Sequence, residues 1–440
     1  MSHLEDIKQY ARSCLVDEIP SGQKHKWACQ RFLDDLDRVG TTDFPYIWSE
    51  DNADKIVKWF SLLKHSKGAL AGKPIELTGW QKFRTCQLYG WIHRETGRKR
   101  FKKSFTEVGR KNAKSQMEAG EALFEKATKN METYEVYTAG TKRDQSKIVF
   151  SECNLMTKGS ILRSKFNFKR DEIVHIKTGS FIKPLSKEDG KTGDGTNPAG
   201  LILDEYHQHP TTDFYDLGLG SNTKEPMLTI ITTAGKDLTY PCYTQEYDYC
   251  SKVLDPNVDV KNDEYFIDIC EADKGDDPGA LETWQKANPI RAFYDDGIKK
   301  ISEDYEIAKQ IPEKMIAFMT KVLNIWVSAA NNGYMDMKKW KACEVKELPI
   351  DLRGRPVYVG FDMSSKIDLT SVAFVVPYQT DKLDSGGKKI VKYAIWTHSF
   401  IPTVDKLREH IIKDKVPYDA WERLGYLTLT NTPIVDQATV

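Results

Sequence analysis

The segment Gly109-Arg110-Lys111-Asn112-Ala113-Lys114-Ser115 follows the run Ser104–Val108 and precedes a helix-compatible stretch, Gln116–Lys126. A strand, a tight turn and Lys-Ser at a helix start describe a phosphate cradle, with backbone N–H groups and the positive helix end facing the anion. Lys114 would reach the β- and γ-phosphates of a nucleotide, and Ser115 would hold Mg²⁺. The usual pattern G-x-x-x-x-G-K-S would need Gly at 108 and 113, where this chain has Val108 and Ala113. A methyl at 113 crowds the phosphate if the loop needs a glycine-only conformation. Taken alone, the segment also reads as a solvated basic turn.

Two further strand ends supply what such a cradle lacks. Gly200-Leu201-Ile202-Leu203-Asp204-Glu205 is an apolar strand closing on adjacent acids. Asp204 suits coordination of Mg²⁺, and Glu205 suits polarising the water that attacks the γ-phosphate. Ile230-Ile231-Thr232-Thr233-Ala234-Gly235 is an apolar strand ending in two hydroxyls, which can sense the γ-phosphate or its water. Upstream, Thr78-Gly79-Trp80-Gln81 offers an amide that matches adenine's N6 and N7 edge, with Trp80 packed nearby. Thr78 as a helix N-cap explains the same residues. Arg110 stands four residues before Lys114 and by itself reads as a solvent-facing or backbone-phosphate contact. Nine Lys or Arg lie between Arg94 and Lys114 against two acids, so some of them could meet DNA phosphates instead.

These residues need elements to hold them. Residues 1–70 show apolar positions at helical spacing, among them Leu15, Trp27, Phe32, Ile56, Trp59 and Phe60. From about 100 to 235, strand-like runs alternate with helical stretches, which predicts βαβ units and a largely parallel sheet. Ile173–Ile176 and Phe181–Leu185 read as an inserted hairpin. Residues 255–282 carry ten acids against two lysines and read as a solvated, mobile segment. Helices over about 296–310 and 313–324 follow, then a polar link. Strands resume at Val357–Asp362, Ser371–Val376 and Lys389–Thr397, with a helix from about Val404 to Asp414.

The 440 residues carry 64 basic and 64 acidic side chains, which excludes a histone-like polycation but not a local nucleic-acid patch. No apolar run approaches the ~18 residues of a membrane span, and the N-terminus lacks the pattern of a secretory signal. Eight cysteines occur without a C-x-x-C pair and read as reduced thiols. His207 and His209 have a spacing that could suit a metal, but without a nearby Cys or third His they read as ordinary side chains.

Taken together and in order, these motifs resemble the large terminase subunit of tailed bacteriophages. Arg110–Ser115 matches that family's phosphate loop at five of six positions, with Ala113 the departure. Asn197-Pro198-Ala199-Gly200 leading into Leu203-Asp204-Glu205 is similar to its acidic strand, Thr232–Gly235 to its coupling motif, and Trp80-Gln81 to its adenine motif. Lys142-Arg143-Asp144-Gln145 resembles a segment after its next strand. The resemblance implies an α/β chain: a helical N-terminal extension over 1–70, a P-loop ATPase motor of the ASCE type over 71–330, and a linker over 331–355. A partial RNase H-like nuclease domain over 356–440 would follow. It implies catalytic roles for Lys114, Glu205 and Arg110, nucleotide binding by Arg110–Ser115, Gln81 and Trp80, and Mg²⁺ held by Ser115 and Asp204. Thr232 and Thr233 would couple hydrolysis to movement.

In the C-terminal part, Val359–Ser365 and Asp368–Ser371 resemble the first two nuclease strands, with Asp362 a ligand for Mg²⁺ or Mn²⁺. Asp368 falls in a turn, and Asp436 belongs to Thr430–Asp436, which resembles a segment preceding further acids. With one firm ligand, the expectation is weak DNA cleavage and loose order after about residue 400. The implied partners are double-stranded DNA, a portal protein, a small terminase subunit and further copies in a ring, in the host cytoplasm and without a membrane. The residues themselves leave two rivals open: another P-loop translocase or helicase, and a degenerate DNA-binding protein.

Overall fold

A parallel strand buried on both faces reads as an unbroken apolar run, and such runs lie side by side in the computed structural model of the chain. The structure describes residues 2–128, 134–185, 197–220, 223, 225–327, 337–345, 350–363, 369–402, 407, 411, 418–423, 425–430, 432 and 435. Two units are present, Met1–Asn332 and Gly333–Val440.

The first unit is built on eight strands: β3 (Lys103–Glu107), β4 (Glu135–Ala139), β5 (Phe166–Phe168), β6 (Ile173–His175), β7 (Phe181–Pro184), β8 (Gly200–Asp204), β9 (Met227–Thr232) and β10 (Tyr265–Ile269). Their order across the sheet is β10-β3-β9-β8-β4-β7-β6-β5. The strands from β10 to β7 run parallel; β6 pairs antiparallel with β7 as the expected hairpin, and β5 adds antiparallel to β6. The strand separating β3 from β8 in space is β9, which follows β8 in sequence. The carboxyl ends of β3, β9 and β8 therefore stand together, with Glu107 level with Thr232 and Asp204 level with Ile231. Ligands of open α/β sheets bind at this edge.

Helices α1 (His3–Leu15) and α2 (Gln23–Asp37) precede a two-stranded ribbon, β1 (Tyr46–Trp48) and β2 (Trp91–His93), that brackets α3 (Glu50–Leu62) and α4 (Gly79–Gly90) in sequence. Ile7, Phe32, Ile56 and Phe60 share one core with Phe83, Val136 and Ile202 of the sheet domain, so these helices are part of the same unit. Crossover helices α5 (Lys114–Thr128) and α6 (Arg143–Thr157) pack on the sheet. Gly120 of α5 lets α3 approach: a Cβ there would stand 2.3 Å from the Phe60 ring, and Trp59 Nε1 donates to the Gly120 carbonyl at 3.0 Å.

One expectation fails here. The acid-rich stretch 255–282 holds β10, whose five residues are all buried beside β3. Its acids are answered by partners: Asp263 accepts from Arg38, 225 residues earlier, and Lys286 donates to Asp273 and Asp276. Helices Asp295–Gln310 and Pro312–Lys321 follow as expected and form a small core with Trp284, Ala292 and Leu323.

In the second unit, β11 (Tyr358–Asp362), β12 (Thr370–Leu383) and β13 (Lys389–Ile401) form an antiparallel meander, and β14 (Leu427–Leu429) joins β13 in parallel. Ile401, Leu407, Tyr418 and Leu427 pack into one cluster. Most residues after 402, where loose order is expected, lie outside the described residues. The expected helix over 404–414 lies almost wholly outside the described residues. A short helix, Met337–Ala342, occupies part of the expected linker.

Candidate nucleotide site

The loop between β3 and α5 is locked from outside itself. Gly109 N donates to the Ala287 carbonyl at 3.0 Å and Arg110 N to the Lys321 carbonyl at 2.8 Å. A Cβ on Gly109 would lie 2.7 Å from Asn288 Oδ1, so only glycine fits. Asn112 is fully buried. Its Nδ2 donates to the Gly109 carbonyl and to Asn288 Oδ1, and its Oδ1 accepts from the N–H groups of Ile290 and Arg291. Two residues of the loop take left-handed backbone, Lys111 at φ 71° and Ala113 at φ 55°. The family's glycine at 113 thus has a conformational reason, and Ala113 holds the same geometry at a cost of about 1–2 kcal/mol.

The loop faces a cavity of about 1190 Å³. One wall holds Lys73, Thr78 and Gln81; the other holds Arg110, Lys114, Ser115 and Glu205. The volume exceeds the ~300–1,000 Å³ of ordinary small-ligand pockets. Thr78 caps α4 and Gln81 returns the bond to the Thr78 N–H at 3.0 Å, so the capping reading holds and Gln81 also lines the cavity. Trp80 does not. It is buried among Val108, Met117 and Cys270, with Nε1 donating to Asp268 Oδ2 at 2.8 Å. Its helix register points it into the core, one residue away from the cavity wall.

Lys114 is buried and its Nζ donates to the Val108 carbonyl at 3.1 Å, folded back on its own loop. Burial lowers its pKa, and Glu205 and Asp204 pull it back up. Burial, then the Glu205 charge, raises the Asp204 carboxyl to about 7. Glu205 goes the other way: burial would raise it, but the Lys114 and Arg110 charges and the Thr233 hydrogen bond hold it below the usual glutamate range. The two neighbours are therefore split, one poised to exchange a proton near neutrality and one held ionised. Glu205 sits at φ 52°, a turn directly after β8 that separates its side chain from that of Asp204.

Thr233 Oγ1 donates to Glu205 Oε2 at 3.5 Å, and His207 Nδ1 lies 3.3 Å from the same oxygen. Thr232 Oγ1 accepts from the His207 N–H at 3.0 Å. Burial lowers His207 to about 4, so its ring is neutral and serves this network. His209 is buried apart from it, against Tyr206 and Phe214.

Four residues of the site had no role in the motifs. Asn288 and Asn324 tie the loop and Ala234 to the helices after β10: Asn324 Oδ1 accepts from Ala234 N at 2.7 Å and its Nδ2 donates to the Cys270 carbonyl. Asn324 adopts φ 57° after a helix, a position where Asn is a readable signal. Asn288 has no such local mark. His207 follows the acid pair. Glu118 stands one turn beyond Lys114, fully buried, with neither carboxylate oxygen partnered among the described residues; burial and then Asp204 push its pKa well up.

Part of the basic run is internal. Arg100 is buried against Asp35 and Lys103 pairs with Glu246, which removes these two from DNA contact, whereas Lys102 pairs with Glu264 at the exposed surface. Asp362 ends β11 and is exposed; no group of three described His, Cys, Asp or Glu includes it. Asp368 and Asp436 lie outside the described residues. So does the side chain of Arg143.

Comparison with known proteins gives two adjoining matches, to the terminase large subunit ATPase domain over residues 79–252 and to its endonuclease domain over 259–440. The second match recognises the endonuclease domain and reaches back over β10 of the first unit, ahead of the expected nuclease start at 356. The large terminase subunit of Enterobacteria phage HK97 is 28% identical over 390 residues, covering 85% of this chain and 70% of that one. Protein YmfN of Escherichia coli K12 is 29% identical over 267 residues, covering 57% of this chain and only 54% of its own length. The crystal structure of the HK97 large terminase superposes with a TM-score of 0.52 at 24% identity, over 87% of this chain and 75% of that one, a likeness of fold. No described helix is long and apolar enough to cross a membrane.

Proposed function

The chain belongs to the terminase large subunit family, and from that premise we propose that it hydrolyses ATP to drive double-stranded viral DNA into a prohead. The observation that carries this reading is the split acid pair: Glu205, held ionised, faces the cavity from beside Lys114, while Asp204 lies buried behind it. An ionised carboxylate bonded to Thr233 is the group that would take a proton from the attacking water. Lys114, released from the Val108 carbonyl, would meet the β- and γ-phosphates. Arg110 would offset charge on the transferring group, and Gln81 would donate its amide to the adenine edge.

Ser115 and Asp204 offer hard oxygen donors of the kind Mg²⁺ prefers, and the unpartnered Glu118 carboxylate behind them fits an outer position. When bound, the ion would neutralise phosphate charge. Thr232 and Thr233 connect Glu205 to β9, a route by which the state of the γ-phosphate could reach the rest of the motor. Portal protein, small terminase subunit and further copies in a ring are the proposed partners, in the host cytoplasm. Asp362 is the proposed ligand of Mg²⁺ or Mn²⁺ in the endonuclease domain.

Two variants test the motor. Lys114→Ala should lose nucleotide binding and turnover together. Glu205→Gln should keep binding within a few fold and lose turnover by about 10²–10⁴-fold. Steady-state ATP hydrolysis with and without DNA, read beside calorimetric nucleotide titration, separates the two effects. Near-normal turnover in both variants sinks the assignment.

A further inference from the structure

We propose that Cys14, Cys29 and the Nε2 atom of His25 bind a structural zinc ion between α1 and α2, away from the nucleotide cavity. His25 and Cys29 are four residues apart on α2, so they share one face. Cys14 lies in the last turn of α1 and meets that face. All three are buried, and their ligand atoms lie within 4.8 Å of one another. Cys14 Sγ stands 3.8 Å and Cys29 Sγ 3.7 Å from Nε2. Bonds of about 2.0–2.1 Å to nitrogen and about 2.3 Å to sulfur, at a tetrahedral angle, place the ligand atoms roughly 3.6 Å apart. The two nitrogen–sulfur edges need to contract by only a tenth or two of an ångström to close on the ion, and the sulfur–sulfur edge lies within 4.8 Å.

The orientation of the imidazole is the second observation. Nδ1 lies 2.6 Å from Asp268 Oδ1, and Asp268 Oδ2 accepts from Trp80 Nε1 at 2.8 Å. A carboxylate anchored in this way fixes the proton on Nδ1 and turns the lone pair of Nε2 toward the two sulfurs, the arrangement that supports zinc-bound histidine. Tyr10 Oη lies 3.1 Å from Nε2, so an ion bound there takes the place of this hydrogen bond. Cys270 Sγ lies 3.6 Å from Nδ1, on the side already occupied by Asp268, and is not a ligand. Two sulfurs and an imidazole select zinc over Mg²⁺.

Binding releases two thiol protons to solvent as two Zn–S bonds form, with no change of oxidation state. The site is sealed, so the ion would enter as the chain folds. It would clamp α1 to α2 and, through Asp268, to β10 beside the phosphate-loop strand; through Trp80 it would steady the start of α4.

The test is metal content of the full chain, purified without a metal-affinity tag and measured by plasma mass spectrometry. We expect about one zinc per chain. Cys14→Ser and Cys29→Ser should fall to background, while Cys86→Ser and Cys343→Ser keep the metal. Because a misfolded variant would also lose zinc, the wild-type chain is refolded with Co²⁺. A thiolate-to-cobalt charge-transfer absorption with tetrahedral ligand-field bands supports the site. Wild-type protein that folds with negligible zinc and gives no thiolate–cobalt absorption overturns it, as does a Cys14–Cys29 disulfide found by peptide mass mapping.

Discussion

Asn112 Nδ2 donates to Asn288 Oδ1 across 3.0 Å, with both side chains fully buried. The bond joins the phosphate loop to the segment after β10, and Asn288 continues it by donating to the Val322 and Trp284 carbonyls. The loop is therefore shaped by residues 176 positions away as much as by its own sequence. Asn288→Ala leaves Asn112 and two carbonyls short of partners and should cost about 1–3 kcal/mol of stability. It should also weaken nucleotide binding. Thermal unfolding and calorimetric titration check both; an unchanged affinity would mean that the loop holds its shape unaided.

Ala113 sits at φ 55°, where a methyl is strained and glycine is not. Ala113→Gly removes that strain but loosens the unfolded chain by a similar ~0.4–1 kcal/mol. Overall stability should thus change by less than about 1 kcal/mol. Nucleotide should bind as well or up to several fold better, because the loop no longer resists the conformation it needs. Weaker binding by the glycine variant, seen by calorimetry, contradicts this account.

The motor core was legible because its chemistry sits at the ends of local apolar runs. Ser104–Val108, Leu201–Leu203 and Met227–Thr232 became β3, β8 and β9 almost residue for residue. What escaped depends on partners far away in the chain. β10 hides in an acid-rich stretch, and its Asp268 hydrogen-bonds His25, 243 residues earlier. Trp80 reads as packing near the adenine beside Gln81, yet its Nε1 answers the same Asp268 across 188 residues. The cysteines showed no paired spacing because an interhelical turn, not a short knuckle, brings Cys14 and Cys29 together. Asn288 carries no local pattern at all.

Asp204 predicts a pH dependence. Burial, then Glu205, raises its folded pKa to about 7, above the ordinary aspartate value. The extra proton held by the folded chain gives a stabilisation that is present below the ordinary aspartate pKa and lost as pH rises through about 7. Metal–nucleotide binding runs the opposite way, since a coordinating Asp204 must be ionised. Affinity for Mg²⁺·ADP should fall by about tenfold per pH unit below about pH 7, and Asp204→Asn should flatten the profile while weakening binding throughout. A flat wild-type profile between about pH 6 and about pH 8 would remove Asp204 from the site.

Glu118 gives a related test that involves no ligand. Its folded pKa lies well above the usual glutamate value, through burial and then the Asp204 charge. Its contribution to stability is likewise present below the unfolded glutamate pKa and lost as pH rises toward the folded one. Glu118→Gln keeps the shape and removes the ionisation. Its thermal midpoint should exceed the wild type's at about pH 8, and the difference should vanish near about pH 4. A midpoint below the wild type's at the higher pH would show that the charged carboxylate has a partner.

Asp362 separates the two proposed activities. It ends β11, opposite Ser371 of β12, in a unit built on its own four-stranded sheet. Its carboxylate is exposed and takes part in no three-ligand group of described residues, so removing it strands no buried partner and should leave folding intact. A two-metal phosphodiester site depends on every carboxylate that bridges its ions. Any Mn²⁺-dependent linearisation of supercoiled plasmid should therefore disappear in Asp362→Asn. ATP turnover should stay within about twofold, because an exposed substitution away from packed or paired groups changes stability by no more than about 0.5 kcal/mol. Cleavage that survives the substitution would move the endonuclease metal site elsewhere. A loss of ATP turnover would tie Asp362 to the motor instead.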